Sequence, residues 1–524
     1  MKQTLAFFFL WLVLLVQAQA TLDWQWGPLQ RSKGYLIHIL PNNEGKLLSV
    51  HERSNMASSQ FVLSEYEGFS ELNSIKVKPT TPEGFGYYQQ TLLIDGHPCV
   101  FIADRQGKEM KLFLRNFDQE LNELESSELF SYTDTRTNST PDFRLIQSPD
   151  RSHFAAFYSI PGRKSGTDIY GYAVYNSHFE KISSGEYSLP YEARLTYIAD
   201  EFLNNNGAIF VGVIELEDVI NQGIRTRQEF KNIHIYQIQS SGLRTYDFDL
   251  QGKRISNFEL NANGSNKLTV FGMYSSSSWT GMQDGFFNAQ IDLTKDQAQA
   301  VGFIPFTKEM VLSEYSANEQ QRLERRMERN NDEAQLSRYE VRDLFTLADG
   351  SYVGAIEKYY VYTNYNYNAQ TQQRISTTYY YYNDIIAFCI DSSGHLKWQQ
   401  RIPKSQVSIN DHGPFSSFAC FLSGDHLFFI FNDSESNYGE DGQFNRKQGT
   451  VQAFSLSKFK NVGAVAQLDV TNGQQQRYIL HQRQDQDILL VPKAFQQDRK
   501  NQGIYTYGIY GPQEKFGYLQ FKTP

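Results

Sequence analysis

Short apolar runs separated by Asn, Asp, Ser and Gly clusters recur along most of the chain, and helical periodicity is scarce. Two of these runs are nearly the same text. Residues 384–394 read DIIAFCIDSSG and residues 232–242 read NIHIYQIQSSG, with isoleucine at the second and seventh positions and a closing Ser-Ser-Gly. The stretches before them also align: GAIFVGVIELEDVI (207–220) with GSYVGAIEKYYVY (350–362), placing 211–215 on 353–357. Each copy therefore predicts a strand carrying V-G-x-I-E, a polar hairpin, a strand ending in Ile, a turn and a further strand.

Weaker copies follow at 168–190, 268–293, 427–456 and 488–520, and less regular ones at 34–78 and 87–127. One small four-stranded sheet cannot bury both faces by itself, but sheets stacked around an axis can. The expectation is an all-β chain forming a single β-propeller over 30–522, with eight blades and seven as the alternative. The two V-G-x-I-E segments should then occupy equivalent strands, and Glu215 and Glu357, being repeated, should have structural jobs.

Two segments break the pattern. Residues 307–338 include EQQRLERRMERNNDEAQ, with Leu323 and Met327 one turn apart and charges spaced for helix pairs, which predicts a short, mostly solvated helical insertion. Residues 357–383 hold nine tyrosines. Tyr365 and Tyr367 alternate with asparagine near the tip, where exposed rings can stack on sugars or a partner; cross-strand self-packing of the tyrosines is the alternative.

Composition narrows the classes. The first twenty residues, MKQTLAFFFLWLVLLVQAQA, have a basic start, an apolar stretch and an Ala-x-Ala site, as a secretory signal peptide does. No later segment is long and apolar enough to span a membrane as a helix. The chain's net charge is −9 and no basic run appears, which argues against nucleic acid as a partner. Three cysteines, Cys99, Cys389 and Cys420, are too few for a disulfide framework; Cys389 and Cys420 could pair if their strands adjoin.

Candidate chemistry is sparse. No zinc spacing, nucleophile elbow or phosphate loop occurs. Asp411 and His412 stand together beside a Gly-Pro turn and could do acid/base work or simply bond the loop. NDSESNYGEDG (432–442) offers Asp433, Glu435, Asn437, Glu440 and Asp441 as oxygen ligands for calcium, although Tyr438 stands where an EF-hand needs glycine. A solvated hairpin tip is the other reading, and no other cofactor is expected.

Two motifs resemble known propeller repeats. SPDRSHFAAFYS (148–159) resembles the S-P-D-x-x-x-x-A-F turn of TolB-like propellers, and IDSSGHLKWQQRIP (390–403) resembles the I-D-x-x-G-x-x-x-W strand pair of quinoprotein-like repeats. Together with FFIFNDSESN, the second resembles uncharacterised exported propeller-like proteins of Bacteroidetes-type bacteria. The resemblance implies a propeller, Trp398 packed between blades, and a periplasmic, cell-surface or secreted location. It implies no activity. The functional expectation is a non-catalytic propeller binding a protein or glycan through blade loops, with a carbohydrate-active hydrolase or lyase as the alternative.

Overall fold

The computed structural model describes residues 21–522 except 43–44, 56–57, 137–138, 163–165, 222–224, 240, 264–265, 277–280, 296–297, 331–334, 369–372, 446–450, 457–459, 483–487 and 499–502. The expected signal peptide lies outside the described residues. Eight antiparallel sheets, each with a four-stranded main path, follow one another as blades: 35–77, 87–133, 144–187, 196–247, 254–305, 339–402, 419–482, and a last one built from 489–522 together with Thr21–Trp26; short extra strands make the sixth sheet five-stranded and the last six-stranded. The chain is an eight-bladed β-propeller.

The first strands of successive blades approach one another around the axis, while the fourth strands are largely exposed at the rim. Ring closure differs from the expected start at residue 30. Thr21–Trp26 pairs along its whole length with Gln513–Lys522, Thr21 opposite Lys522 and Trp26 opposite Gly517. The N-terminal strand is thus the outer strand of blade 8, and the two ends of the chain close the ring together.

Imperfect alternation in the strands now has its cause. In Gln373–Ile390, Ile385, Ala387 and Cys389 pack toward blade 7, and Ile386, Phe388 and Ile390 toward blade 5. Both faces of a middle strand are interfaces, so both are apolar. Trp398 packs between blades 6 and 7, its Nε1 donating to the Val470 carbonyl at 2.8 Å. The two resembling turns close as Asx turns. Asp150 accepts from Ser152 N and both neighbouring serine hydroxyls, and Asp391 accepts from Ser393 N and His395 N.

The V-G-x-I-E segments occupy the second strands of blades 4 and 6, as expected. In both, the first strand carries a bulge beside the glycine, at Ile198/Asp200 opposite Val213 and Gly212, and at Val341/Asp343 opposite Ile356 and Ala355. Both glycines are closely covered, Gly354 by the bulged strand of its own blade and Gly212 by the first strand of blade 5. A Cβ on Gly354 would meet the Asp343 carbonyl oxygen at 2.4 Å, and one on Gly212 the Phe258 ring at 2.4 Å. Glycine is required there by close approach. All three cysteines are free.

The 307–338 insertion forms two helices, Lys308–Leu312 and Ala317–Asn330. The first buries Met310, Val311 and Leu312 against blades 5 and 6, so this part is docked rather than solvated. A capping box starts the second, with Glu319 accepting from Ser316 N at 3.0 Å.

Candidate functional site on the loop face over blades 6 and 7

In a four-stranded meander, the loops joining second to third strands and those joining one blade to the next emerge on the same face. Over blades 6 and 7 that face carries the helical insertion, the tyrosine hairpin, the 403–418 connection and the 435–460 loop.

The tyrosine hairpin consists of Tyr352–Asn368 and Gln373–Ile390, and its upper part gains a third strand, Gln406–Ile409. Residues opposite each other share a face. Tyr360 pairs with Tyr381 and Tyr362 with Tyr379, while Val407 and Ile409 extend the same face across the third strand. The Tyr360 and Tyr381 rings stack at 4.4 Å, and Tyr379 stacks on Tyr381 at 6.4 Å. The Arg338 guanidinium lies over Tyr360 at 4.4 Å. Tyr362 is 54% exposed and Ile409 51%. The rings cover one another, as the self-packing alternative has it, and form one aromatic face on which Tyr362 is the exposed ring. Tyr365 lies on the opposite face and is 74% exposed; the Tyr367 side chain lies outside the described residues.

Tyr360 also borders a polar cleft of about 790 Å³, lined by Glu314, Tyr315, Lys358, Asp384, Arg401 and Phe444 among others. Its charges come in pairs: Lys358 with Glu314 at 2.7 Å and Arg401 with Asp384 at 2.8 Å. Tyr339, buried beneath, donates its hydroxyl to Glu314. Behind the cleft lies a fully buried ion pair, Lys404 Nζ to Glu357 at 2.8 Å. Lys404 also donates to the Tyr382 carbonyl and Gln406, and Glu357 accepts from Arg342 and Ser417. Burial pushes the Lys404 ammonium below its ordinary value, against the pull of Glu357. Glu357 therefore ties the base of the hairpin to the connection between blades, a structural job like that expected of it. Its repeat counterpart Glu215 accepts from Lys231 at 2.6 Å and meets His234 at 3.0 Å.

Asp411 and His412 sit on the 403–418 connection. Asp411 accepts from Gly413 N, and the His412 carbonyl accepts from Tyr382 and Lys493. The His412 ring packs on Tyr380 at 4.8 Å, with its Nε2 3.5 Å from the Tyr380 hydroxyl. Asn410, His412, Gly413 and Ser417 all have positive φ, so this connection is tightly wound.

The 432–442 segment does not fit a calcium ion. Asp433 is buried and faces the Arg477 guanidinium, and it also accepts from Ser434 N, Asn437 and Tyr438. A second cation there would meet a fixed positive charge. Asn437 is spent on Gln452 in both directions, and Asp441 on Gln443 N. Glu435 begins a short 3-10 turn and Glu440 is exposed. Among the described residues, no group of three or more His, Cys, Asp or Glu is placed to hold a metal. The base of the segment is strapped down by Arg477, while its tip at Gly439, Glu440 and Asp441 is exposed.

One group escaped the sequence. Asp200, Glu259 and Asp343 lie on the first strands of blades 4, 5 and 6, close enough for Glu259 to sense both aspartates. Burial raises all three, Asp200 to about 6 and Glu259 and Asp343 to about 7, with mutual repulsion adding to Glu259. Asp200 also latches blade 4 to blade 5 by accepting from Leu260 N at 2.7 Å.

No family model and no curated protein matches the chain. Solved propellers resemble it in outline. The WD40 domain of SCAP from fission yeast is 9% identical, with 97% of this chain and 96% of that one covered and a TM-score of 0.34. Sqt1 of Chaetomium thermophilum is 9% identical over 93% and 95%, with a TM-score of 0.40. A family PL25 ulvan lyase is 9% identical over 61% and 75%, with a TM-score of 0.31. With similarity this remote, the fold rests on the chain's own strand pairings.

Proposed function

We propose that the protein is an exported, non-catalytic β-propeller that binds a glycan on the loop face over blades 6 and 7. The observation that carries this reading is the row of Tyr360, Tyr381, Tyr379 and Tyr362 on one face of the hairpin, running into the polar cleft. The exposed ring of Tyr362, with the half-buried rings beside it, offers stacking surface to the apolar face of a sugar at small entropic cost. The paired charges of Lys358, Glu314, Arg401 and Asp384 hold hydrogen-bond donors and acceptors in place for hydroxyl groups. Export is supported by the leader-like first twenty residues. A soluble-glycan array probed with purified chain starting at Thr21 tests this. Binding lost on Tyr362→Ser with Tyr379→Ser, at unchanged melting, supports it; no binding to any glycan, or binding indifferent to both substitutions, refutes it.

A second reading, a carbohydrate-active hydrolase or lyase, is favoured by Asp200, Glu259 and Asp343, because carboxyl groups titrating near 6 to 7 suit acid/base catalysis. Chain turnover of an array hit that disappears in Glu259→Gln would establish this reading over the first.

A further inference from the structure

The tyrosine hairpin has an open edge. The first strand of blade 6 accompanies Tyr352–Asn368 only as far as Lys358, opposite Tyr339, with one further bond from Tyr359 N to the Arg338 carbonyl. Beyond that point no described residue pairs with this side of the strand. Thr378, opposite Thr363, turns its backbone toward Asn410: its carbonyl accepts from Asn410 N and its N–H donates to the Asn410 side chain. Opposite residues of an antiparallel pair either exchange both bonds or neither. Thr363 therefore points its N–H and C=O at the open edge, and so do Val361 and Tyr365, two residues to either side.

Exposed edges are ordinarily blunted by charge, proline or a bulge. Between Lys358 and Arg374 this chain has none of the first two, and the ladder from Tyr359 to Asn368 has no register shift. Val361 is 47% exposed and Tyr365 74%.

We propose that this edge pairs with the same edge of a second copy of the chain, antiparallel and centred on Thr363. A two-fold axis through Thr363 sets Val361 of one copy opposite Tyr365 of the other, and Tyr362 opposite Asn364. The exposed valine and tyrosine thereby become cross-strand partners, a favourable aromatic–β-branched pair. No like charges oppose, since the segment carries none. An axis perpendicular to the sheet keeps faces matched, so the Tyr360–Tyr381 faces of both copies join into one platform.

The test is sedimentation velocity of the purified chain over a concentration series. Reversible formation of a species of twice the monomer mass is expected. Thr363→Pro removes an outward N–H that the hairpin itself does not use, with loss of the Thr363–Thr378 hydroxyl contact, and should leave a folded monomer only. Register is tested by charge. Val361→Lys with Tyr365→Lys sets lysines opposite each other and should abolish the dimer, whereas Val361→Lys with Tyr365→Glu sets lysine against glutamate and should restore it. An unmodified chain that stays monomeric throughout, a dimer indifferent to Thr363→Pro, or equal behaviour of the two charge variants would each overturn the proposal.

Discussion

The hairpins of blades 4 and 6 begin from the same sequence and end as different objects. Both carry V-G-x-I-E in the second strand, both face a bulged first strand, and both shift register again just after the glutamate, at Glu215/Leu216 and Glu357/Tyr359. Above that point they diverge. The blade 4 hairpin is charged, and the preceding 3-10 turn, Ala193–Leu195, covers it. Arg194 pairs with Asp218 at 2.6 Å, and Gln228 donates to the Arg194 carbonyl at 2.8 Å. The blade 6 hairpin is aromatic, with Arg374 its one charge above Lys358, and its connecting helices dock below it through Glu314 and Lys358 instead. A repeat conserves what the blade needs, namely glycine, bulge and anchoring carboxylate. What projects beyond the blade is left free to acquire a function.

The largest difference should come from the two anchoring glutamates. Glu357→Ala leaves Lys404 buried without its partner and should cost about 3–5 kcal/mol. Glu215→Ala should cost about 1 kcal/mol, because Lys231 is half exposed and water can replace the carboxylate. Urea unfolding of both variants measures this; equal losses would mean that the two hairpin bases are energetically alike.

Next come the glycines. Gly354→Ala drives a Cβ into the backbone oxygen of Asp343, which cannot rotate away, while Gly212→Ala meets a ring that can shift. Overpacking costs about 1–3 kcal/mol, and the blade 6 variant should sit at the upper end of that range. Reversal of the order in thermal melts would show that the Phe258 ring over Gly212 is held more tightly than the bulge over Gly354.

A third effect follows from pH. Asp200, Glu259 and Asp343 have folded values of about 6, 7 and 7, above those of the unfolded chain. As pH falls through this range the folded chain takes up protons that the unfolded chain does not yet bind. Stability should therefore rise from about pH 8 down to about pH 5. His38, lowered by burial, works the other way below its ordinary value. Asp343→Asn together with Glu259→Gln should raise stability at pH 8 and flatten the slope; a slope unaltered by them would remove these carboxyls as its cause.

The smallest effect should be at Tyr365. At 74% exposure, Tyr365→Ser should change the melting temperature by less than about 1 °C in dilute chain. Tyr360→Ser, which breaks the 4.4 Å stack on Tyr381, should lower stability by about 1 kcal/mol.

These regions were unequally legible in the sequence. Glycine, glutamate and the Ser-Ser-Gly turn are local, so the second and third strands of blades 4 and 6 could be read directly. The closing strand TLDWQW could not be placed, since its partner lies at the other end of the chain and no neighbouring text marks the pairing. Asp433 looked like a calcium ligand because Arg477, which neutralises it, is 44 residues away. Asp200, Glu259 and Asp343 were invisible for a different reason. They come together only across three blades, and at Asp200 and Asp343 a bulge resets which way the strand's side chains point.

Calorimetric titration of an oligosaccharide taken from the array tests the contrast between the hairpins most directly. Three proteins are compared: the unmodified chain, Tyr362→Ser with Tyr379→Ser on the blade 6 face, and Glu217→Ser on the exposed blade 4 hairpin. The account predicts at least a roughly tenfold loss of affinity, about 1.4 kcal/mol, for the tyrosine variant, with blade 4 unaffected. Equal affinity for all three, or loss only in Glu217→Ser, would contradict it.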